Sequence, residues 1–263
     1  MVKPISRSPF DAPVIFIHIP KTGGMTFLSF LENVLGQQDN IRFKENGWKY
    51  LPGDWPLSLL TRKRLISGHI PYSNIKGEIP GASYVTLLRH PVNQVISHYW
   101  QIRRHIDQKG VDASRSLQLI EFEKEMTLDD VVRQKENGIP TYIDNIQTRF
   151  LGWEGPCTNA KDLSPDLWLS TLERAKNRLI HEFSFFGICE MMMATKKLFC
   201  ATFSLPYVES ENVHINTRPQ YQRHREVDES LTAQISGQNA YDVELYDFAR
   251  NIFDNRCKGG DRR

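Results

Sequence analysis

The chain has 263 residues, 40% of them hydrophobic and 11% aromatic, enough to bury a sizeable core in one large α/β domain and to exclude a disordered polymer. Its 33 basic and 31 acidic residues leave a net charge of +2. That balance argues against a dedicated nucleic-acid binder, which shows a strongly basic face, but it allows a local basic cleft around an anion.

In chain order, the first ten residues hold Lys3, two prolines and no apolar h-region, so no signal peptide is read there. No later stretch approaches the roughly 18 apolar residues of a membrane span. The expectation is a cytoplasmic protein; the alternative is a Golgi-type chain trimmed of its membrane anchor. Val14 to Ile19 (VIFIHI) is a nearly continuous apolar run, the pattern of a buried parallel strand. Pro20 to Gly24 breaks it, and Phe27, Leu28, Phe30, Leu31, Val34 and Leu35 then recur at helical spacing. Arg64 to Ser67 predicts a second short strand that ends at Gly68-His69, and Tyr84 to Leu88 a third. Pro91 suits a first helical position, and Val92, Val95, Ile96, Tyr99 and Trp100 continue that helix.

The stretch 107–124 is polar and reads as a surface excursion. Helices are expected over 128–134 and 166–180, a strand over 184–188, a helix over 191–203, a long loop over 206–227 and a closing helix over 243–253. Strands alternating with helices predict an α/β fold with a central parallel sheet flanked by helices, a three-layer, P-loop-like arrangement. A single domain over 1–263 is expected, with an ordered core of about 12–257. Cys157, Cys189, Cys200 and Cys257 are widely spaced and form no CxxC pair, so zinc spacing is absent and free thiols are expected.

Two segments carry chemistry. In Pro20-Lys21-Thr22-Gly23-Gly24-Met25-Thr26, two glycines let the backbone approach a ligand, and the helix start presents free N–H groups to an anion. Lys21 adds a positive charge, and Thr22 and Thr26 add hydroxyls. The lysine precedes the glycines, so the GxxxxGK[ST] nucleotide-triphosphatase pattern is not met. The plain alternative is a tight turn with a solvated lysine. The second segment, Leu87 to Val92 (LLRHPV), puts Arg89 at a strand's C-terminal end, where open α/β sheets bind ligands. Ser97 lies two helical turns further on. Alone, Arg89 reads equally well as an ion-pairing residue.

Together and in this order, HIPKTGGMTF and YVTLLRHPVNQVISHYW resemble the signatures of PAPS-dependent sulfotransferases (PAPS is 3′-phosphoadenosine-5′-phosphosulfate). The likeness is to the carbohydrate branch that includes the heparan sulfate 2-O- and 6-O-sulfotransferases. It is strong over about 14–104 and patchy to about 253, with partial matches at SGH (67–69), DNIQTRFLG (144–152), FFGICE (185–190) and ELYDFA (244–249). The resemblance implies PAPS as sulfuryl donor and a carbohydrate or glycan acceptor. The charge balance argues against a nucleic-acid partner, and no metal is obligatory, because a lysine and backbone amides can neutralise the leaving charge. It implies that Lys21, Thr22, Gly23, Gly24, Met25 and Thr26 surround the 5′-phosphosulfate and that Arg89 and Ser97 hold the 3′-phosphate. Asn216 and Arg218 would close over the donor from the late loop. Met25 and His90 depart from the family, which often has a hydroxyl residue at the first position and an acidic one at the second.

Lys21 is the expected stabiliser of the leaving group and His69 the expected base, since a neutral histidine titrates near working pH. His214 is the runner-up base, with Glu32 and Glu45 behind it. His18 reads as a core or edge residue, and His98 as facing solvent or a neighbouring strand. Arg103, Arg104 and Arg149 are candidate contacts to an acidic acceptor, and Trp48, Trp55 and Trp153 candidate stacking platforms. Competing readings are a nucleotide-dependent kinase and a non-catalytic nucleotide- or glycan-binding module on the same scaffold.

Overall fold

The computed structural model describes residues 12–37, 40–43, 56–109, 127–133, 144–154, 164–208 and 227–260. Five strands form one all-parallel sheet: β1 (Val14–Ile17), β2 (Asn40–Phe43), β3 (Leu65–Gly68), β4 (Ser83–Leu88) and β5 (Phe183–Ile188), in the order β2-β3-β1-β4-β5. The apolar run at the start of the chain is the central strand. Every residue of β1 is buried, and alternate side chains enter two different cores. Ile15 and Ile17 join Ile66, Leu88 and Phe186 on one face. Val14 and Phe16 join Leu65, Val85, Leu87 and Phe185 on the other. A strand covered on both sides has no polar face to alternate with, which explains the uninterrupted pattern.

Helix α1 (Gly24–Leu35) packs on the second face through Phe27, Leu28, Phe30 and Leu31. The short helix α2 (Leu57–Leu60) precedes β3, and α3 (Pro91–Lys109) follows β4. Further along come α4 (Leu128–Arg133), α5 (Ile146–Gly152), α6 (Pro165–His181), α7 (Met192–Thr202), α8 (Glu229–Gln238) and α9 (Ala240–Gly260). Helices α5, α6 and α9 cover the first face; α1 and α7 cover the second. The layers are therefore helix, sheet, helix, as expected. A third apolar cluster joins α3, α4 and α8 through residues such as Ile96, Val132 and Ile235.

The predicted strands and long helices are present with ends shifted by a few residues. The first strand stops at Ile17, so His18 lies beyond it rather than within it. Four elements were not foreseen: the single-turn α2, then β2, α5 and α8. β2 is a short, half-exposed edge strand, without apolar alternation to mark it. In α5 all seven residues are buried, which erases amphipathic periodicity. Its start is capped from far away: the Asp242 carboxylate accepts from Gln147 N (3.0 Å) and Thr148 N (2.7 Å). Helix α8 starts on Asp228, whose side chain accepts from Leu231 N. Cys189 and Cys200 are free thiols, and Cys157 lies outside the described residues. No described helix is long and apolar enough to cross a membrane.

Candidate functional site

The chain leaves β1 toward one edge of the sheet and β4 toward the other, so a crevice opens at the C-terminal ends of the strands between them. A cavity of about 630 Å³ lies there. Four residues on four neighbouring strand ends line it in the order of the sheet: Arg42 on β2, His69 after β3, Lys21 after β1 and Arg89 after β4.

The loop after β1 is held in an unusual path. Lys21 (φ 68°) and Gly23 (φ 82°) both adopt left-handed backbone, which costs little only at glycine. A Cβ on Gly23 would also meet Cys189 Sγ at 2.7 Å. Three bonds fix the turn. Thr22 Oγ1 donates to Ile19 O (2.9 Å), Gln94 Nε2 to Pro20 O (3.3 Å) and Arg89 Nη1 to Lys21 O (2.9 Å). Helix α1 then begins with no side-chain cap and no acidic residue in its first turn. Its positive end and its unpaired first-turn N–H groups therefore face the cavity without an internal anion.

Arg89 is positioned from three sides. Its N–H donates to Gln147 Oε1 (2.9 Å), and Gln147 Nε2 donates back to Arg89 O (2.8 Å). Glu190 Oε1 sits 3.9 Å from Arg89 Nε and accepts from His90 N (3.1 Å). His90 itself packs edge-on against Tyr246 (5.3 Å between ring centres), a packing role. One turn past Ser97 on α3, Gln101 also lines the cavity.

Two histidines meet on the other side of Lys21. His69 Nδ1 lies 2.6 Å from His18 O. A carbonyl only accepts, so the ring donates there and presents Nε2 as a lone-pair acceptor. The His18 ring lies 4.4 Å from the His69 ring and stacks on Phe16 at 5.3 Å. It also fills the space beside Gly24, where a Cβ would come within 2.0 Å of it. Burial first, then the nearby His69, Arg42 and Lys21, hold the His18 pKa well below the ordinary histidine range. His98 is fully buried, and its pKa is pushed down to about 3 by burial and then by Lys21 and His69. Both imidazoles are neutral at physiological pH.

Of the residues expected at the site, Lys21, Gly23, Gly24, Met25, Thr26, His69, Arg89 and Ser97 line this one cavity. Thr22 does not; it is fully buried and its hydroxyl is committed to Ile19 O, because closing the turn needs that donor. Arg149, read as an acceptor contact, is only 1% exposed and packs within α5 near Asp242, so it is unsuited to a surface ligand. His98 faces the interior, not solvent. His18 belongs to the cavity wall as well as to the packing. Asn216, Arg218, His214, Glu45, Trp48 and Trp55 lie outside the described residues. The sequence reading missed Arg42, which no local motif marks; Gln147 and Glu190 fell inside the partial matches DNIQTRFLG and FFGICE but were given no role there. Gln101 had a signal, its spacing of four from Ser97.

A parallel sheet whose central strand runs into an anion-facing loop and helix defines the P-loop-like α/β class. Within it, the chain is similar along nearly its whole length to heparan-sulfate 6-O-sulfotransferases. It is 24% identical over 273 residues to heparan-sulfate 6-O-sulfotransferase 2 of Gallus gallus, covering 92% of this chain and 67% of that protein. To heparan-sulfate 6-O-sulfotransferase 1 of Homo sapiens it is 24% identical over 286 residues (94% and 66%). To heparan-sulfate 6-O-sulfotransferase 2 of Danio rerio it is 27% identical over 276 residues (92% and 58%). The chain spans about two thirds or less of these relatives' lengths. A solved sulfotransferase from Alicyclobacillus acidocaldarius shows a loose likeness, with a TM-score of 0.47 and 13% identity over 92% of this chain and 94% of that one. No family model matches the chain.

Proposed function

We propose that this chain transfers a sulfuryl group from PAPS to a hydroxyl of a carbohydrate acceptor. The observation that carries the reading is the convergence of Lys21, the uncapped start of α1, Arg89, Ser97 and His69 on one cavity, from segments up to 76 positions apart in the sequence. The curated relatives are sulfotransferases of a carbohydrate by name, which supports the acceptor class.

The residues fit the donor. A cavity of about 630 Å³ suits a nucleotide, since ligand pockets run from roughly 300 to 1,000 Å³. Bound PAPS would supply an activated sulfuryl group on a phosphate leaving group. Arg89 and Ser97 hold the 3′-phosphate by charge and hydroxyl. Gly23 and Gly24 bring the loop's main chain close to the 5′ end. Lys21 and the first-turn N–H groups of α1 neutralise the charge that grows on the leaving oxygen as the new O–S bond forms and the old one breaks. His69 accepts the hydroxyl proton at Nε2, the ring nitrogen opposite the one bonded to His18 O.

Calorimetric titration with 3′-phosphoadenosine-5′-phosphate (PAP), with ATP as comparator, tests the reading. Preferential binding of PAP is expected. Equal or tighter binding of ATP, or binding of neither, overturns it in favour of the kinase or non-catalytic alternatives.

A further inference from the structure

Arg42 stands at the far end of the row of strand-end residues and has no part in the scheme so far. It is exposed, on the edge strand β2, yet its side chain reaches back over the first turn of α1, where Nη2 donates to Met25 Sδ. Register explains the direction. Arg42 pairs with Ser67 of β3, and Ser67 pairs with Phe16 of β1, so all three share the face that α1 covers. Arg42, Ser67 and Met25 all line the cavity.

A thioether is a weak acceptor, and a guanidinium carries five donors in a planar fork matched to tetrahedral oxyanions. The contact to Met25 therefore exchanges readily for a bound anion. The α1 start, Lys21 and Arg42 form a positive wall on the β2 side of the loop, distinct from Arg89 on the β4 side. The depression of the His18 pKa by Arg42 agrees with the guanidinium lying close to this end of the cavity. Met25 itself offers no hydroxyl, so the first turn brings one hydrogen-bonding side chain, Thr26, and a thioether beside it.

We infer that Arg42 is a substrate-binding residue that leaves Met25 on donor binding and grips the non-bridging oxygens of the transferable sulfuryl group. The inference rests on the PAPS reading above. In this arrangement two cations flank the group, Lys21 from the leaving-oxygen side and Arg42 from the side of His69. Because PAP lacks the sulfuryl group, Arg42 discriminates between donor and product, favouring entry of one and release of the other.

The test titrates PAPS and PAP, without acceptor, into wild type, Arg42→Met, Arg42→Lys and Met25→Thr/Arg42→Met. The edge position of Arg42 makes the methionine variant tolerable to the fold, and an unchanged melting curve checks this. Losing a charge-assisted fork is expected to weaken PAPS binding by about tenfold or more. PAP binding should stay within about twofold, since that ligand does not reach Arg42. Lysine should recover part of the loss, and threonine at position 25 should restore part by supplying a hydroxyl. If Arg42→Met weakens PAP and PAPS alike, or neither, the inference fails while the PAPS reading stands. Steady-state kinetics on the same variants adds the acceptor: a rise confined to the acceptor KM would also overturn the inference, reassigning Arg42 to the acceptor. Binding of neither nucleotide by wild type would overturn the parent reading instead.

Discussion

His69 donates its Nδ1 proton to the main-chain carbonyl of His18 across 2.6 Å, tying the end of β3 to the end of β1 beside the cavity that both residues line. The acceptor is main chain, so the backbone path of the β1 end holds the Nδ1 proton. His69→Ala should lower the catalytic rate by roughly 10²–10⁴, the usual contribution of a general base. PAP affinity should be little changed. Steady-state kinetics beside calorimetry reads both quantities, and a rate loss under about tenfold would move the base elsewhere.

Arg89 both lines the cavity and braces the loop through Lys21 O. Its replacement removes a cation and loosens the turn that carries Lys21. Arg89→Ala is expected to weaken PAP binding by about ten- to a hundredfold, the scale of a lost charge-assisted hydrogen bond. Adenosine-5′-phosphosulfate, which lacks the 3′-phosphate, should lose much less. Equal losses for both ligands would show that Arg89 acts only as a brace.

Gly23 is required for two separable reasons, its positive φ and the closeness of Cys189 Sγ. Gly23→Ala should destabilise the protein by about 1–3 kcal/mol and reduce nucleotide binding. Adding Cys189→Ala relieves the contact but not the backbone strain, so the double variant should recover only part. Thermal unfolding of the four proteins in the cycle measures the coupling, and full additivity would rule the contact out.

His98 gives the fold an acid-sensitive point. Its folded pKa of about 3 lies below the ordinary histidine value, so the unfolded chain binds the extra proton between those limits. Stability from this site is present above about pH 6.5 and is lost as pH falls toward 3, on the order of 5 kcal/mol in all at about 1.4 kcal/mol per unit. Asp242 works the other way. Burial raises its pKa to about 6, so the folded protein holds the extra proton between about pH 4 and 6 and gains stability as pH falls through that window. Denaturant titrations of wild type and His98→Gln from pH 4 to 7 should show a shallower acid loss in the variant. Parallel curves would reject the assignment.

The sequence by itself was enough to read the parallel α/β architecture and to single out the two segments that meet at the candidate cavity. The apolar run VIFI requires a strand buried on two faces, and the Lys-Thr-Gly-Gly loop and the Arg-His-Pro turn each sit at a strand end where ligands bind. Those signals are local, because strand burial and helix starts are written in neighbouring residues. What only the tertiary structure decided are relations between distant ones. The carbonyl of His18 selects the His69 tautomer across 51 positions, Asp242 caps α5 from 95 positions away, and Gln147 clasps the Arg89 main chain across 58. Thr22 turned inward for the same reason, since the donor that closes the turn was worth more to the buried carbonyl of Ile19 than to a ligand. Arg42 joined the cavity only because β2 pairs with β3 in a register that sends its side chain over α1. Hydrogen-bond partners and strand register are set by packing, and packing is a property of the folded whole.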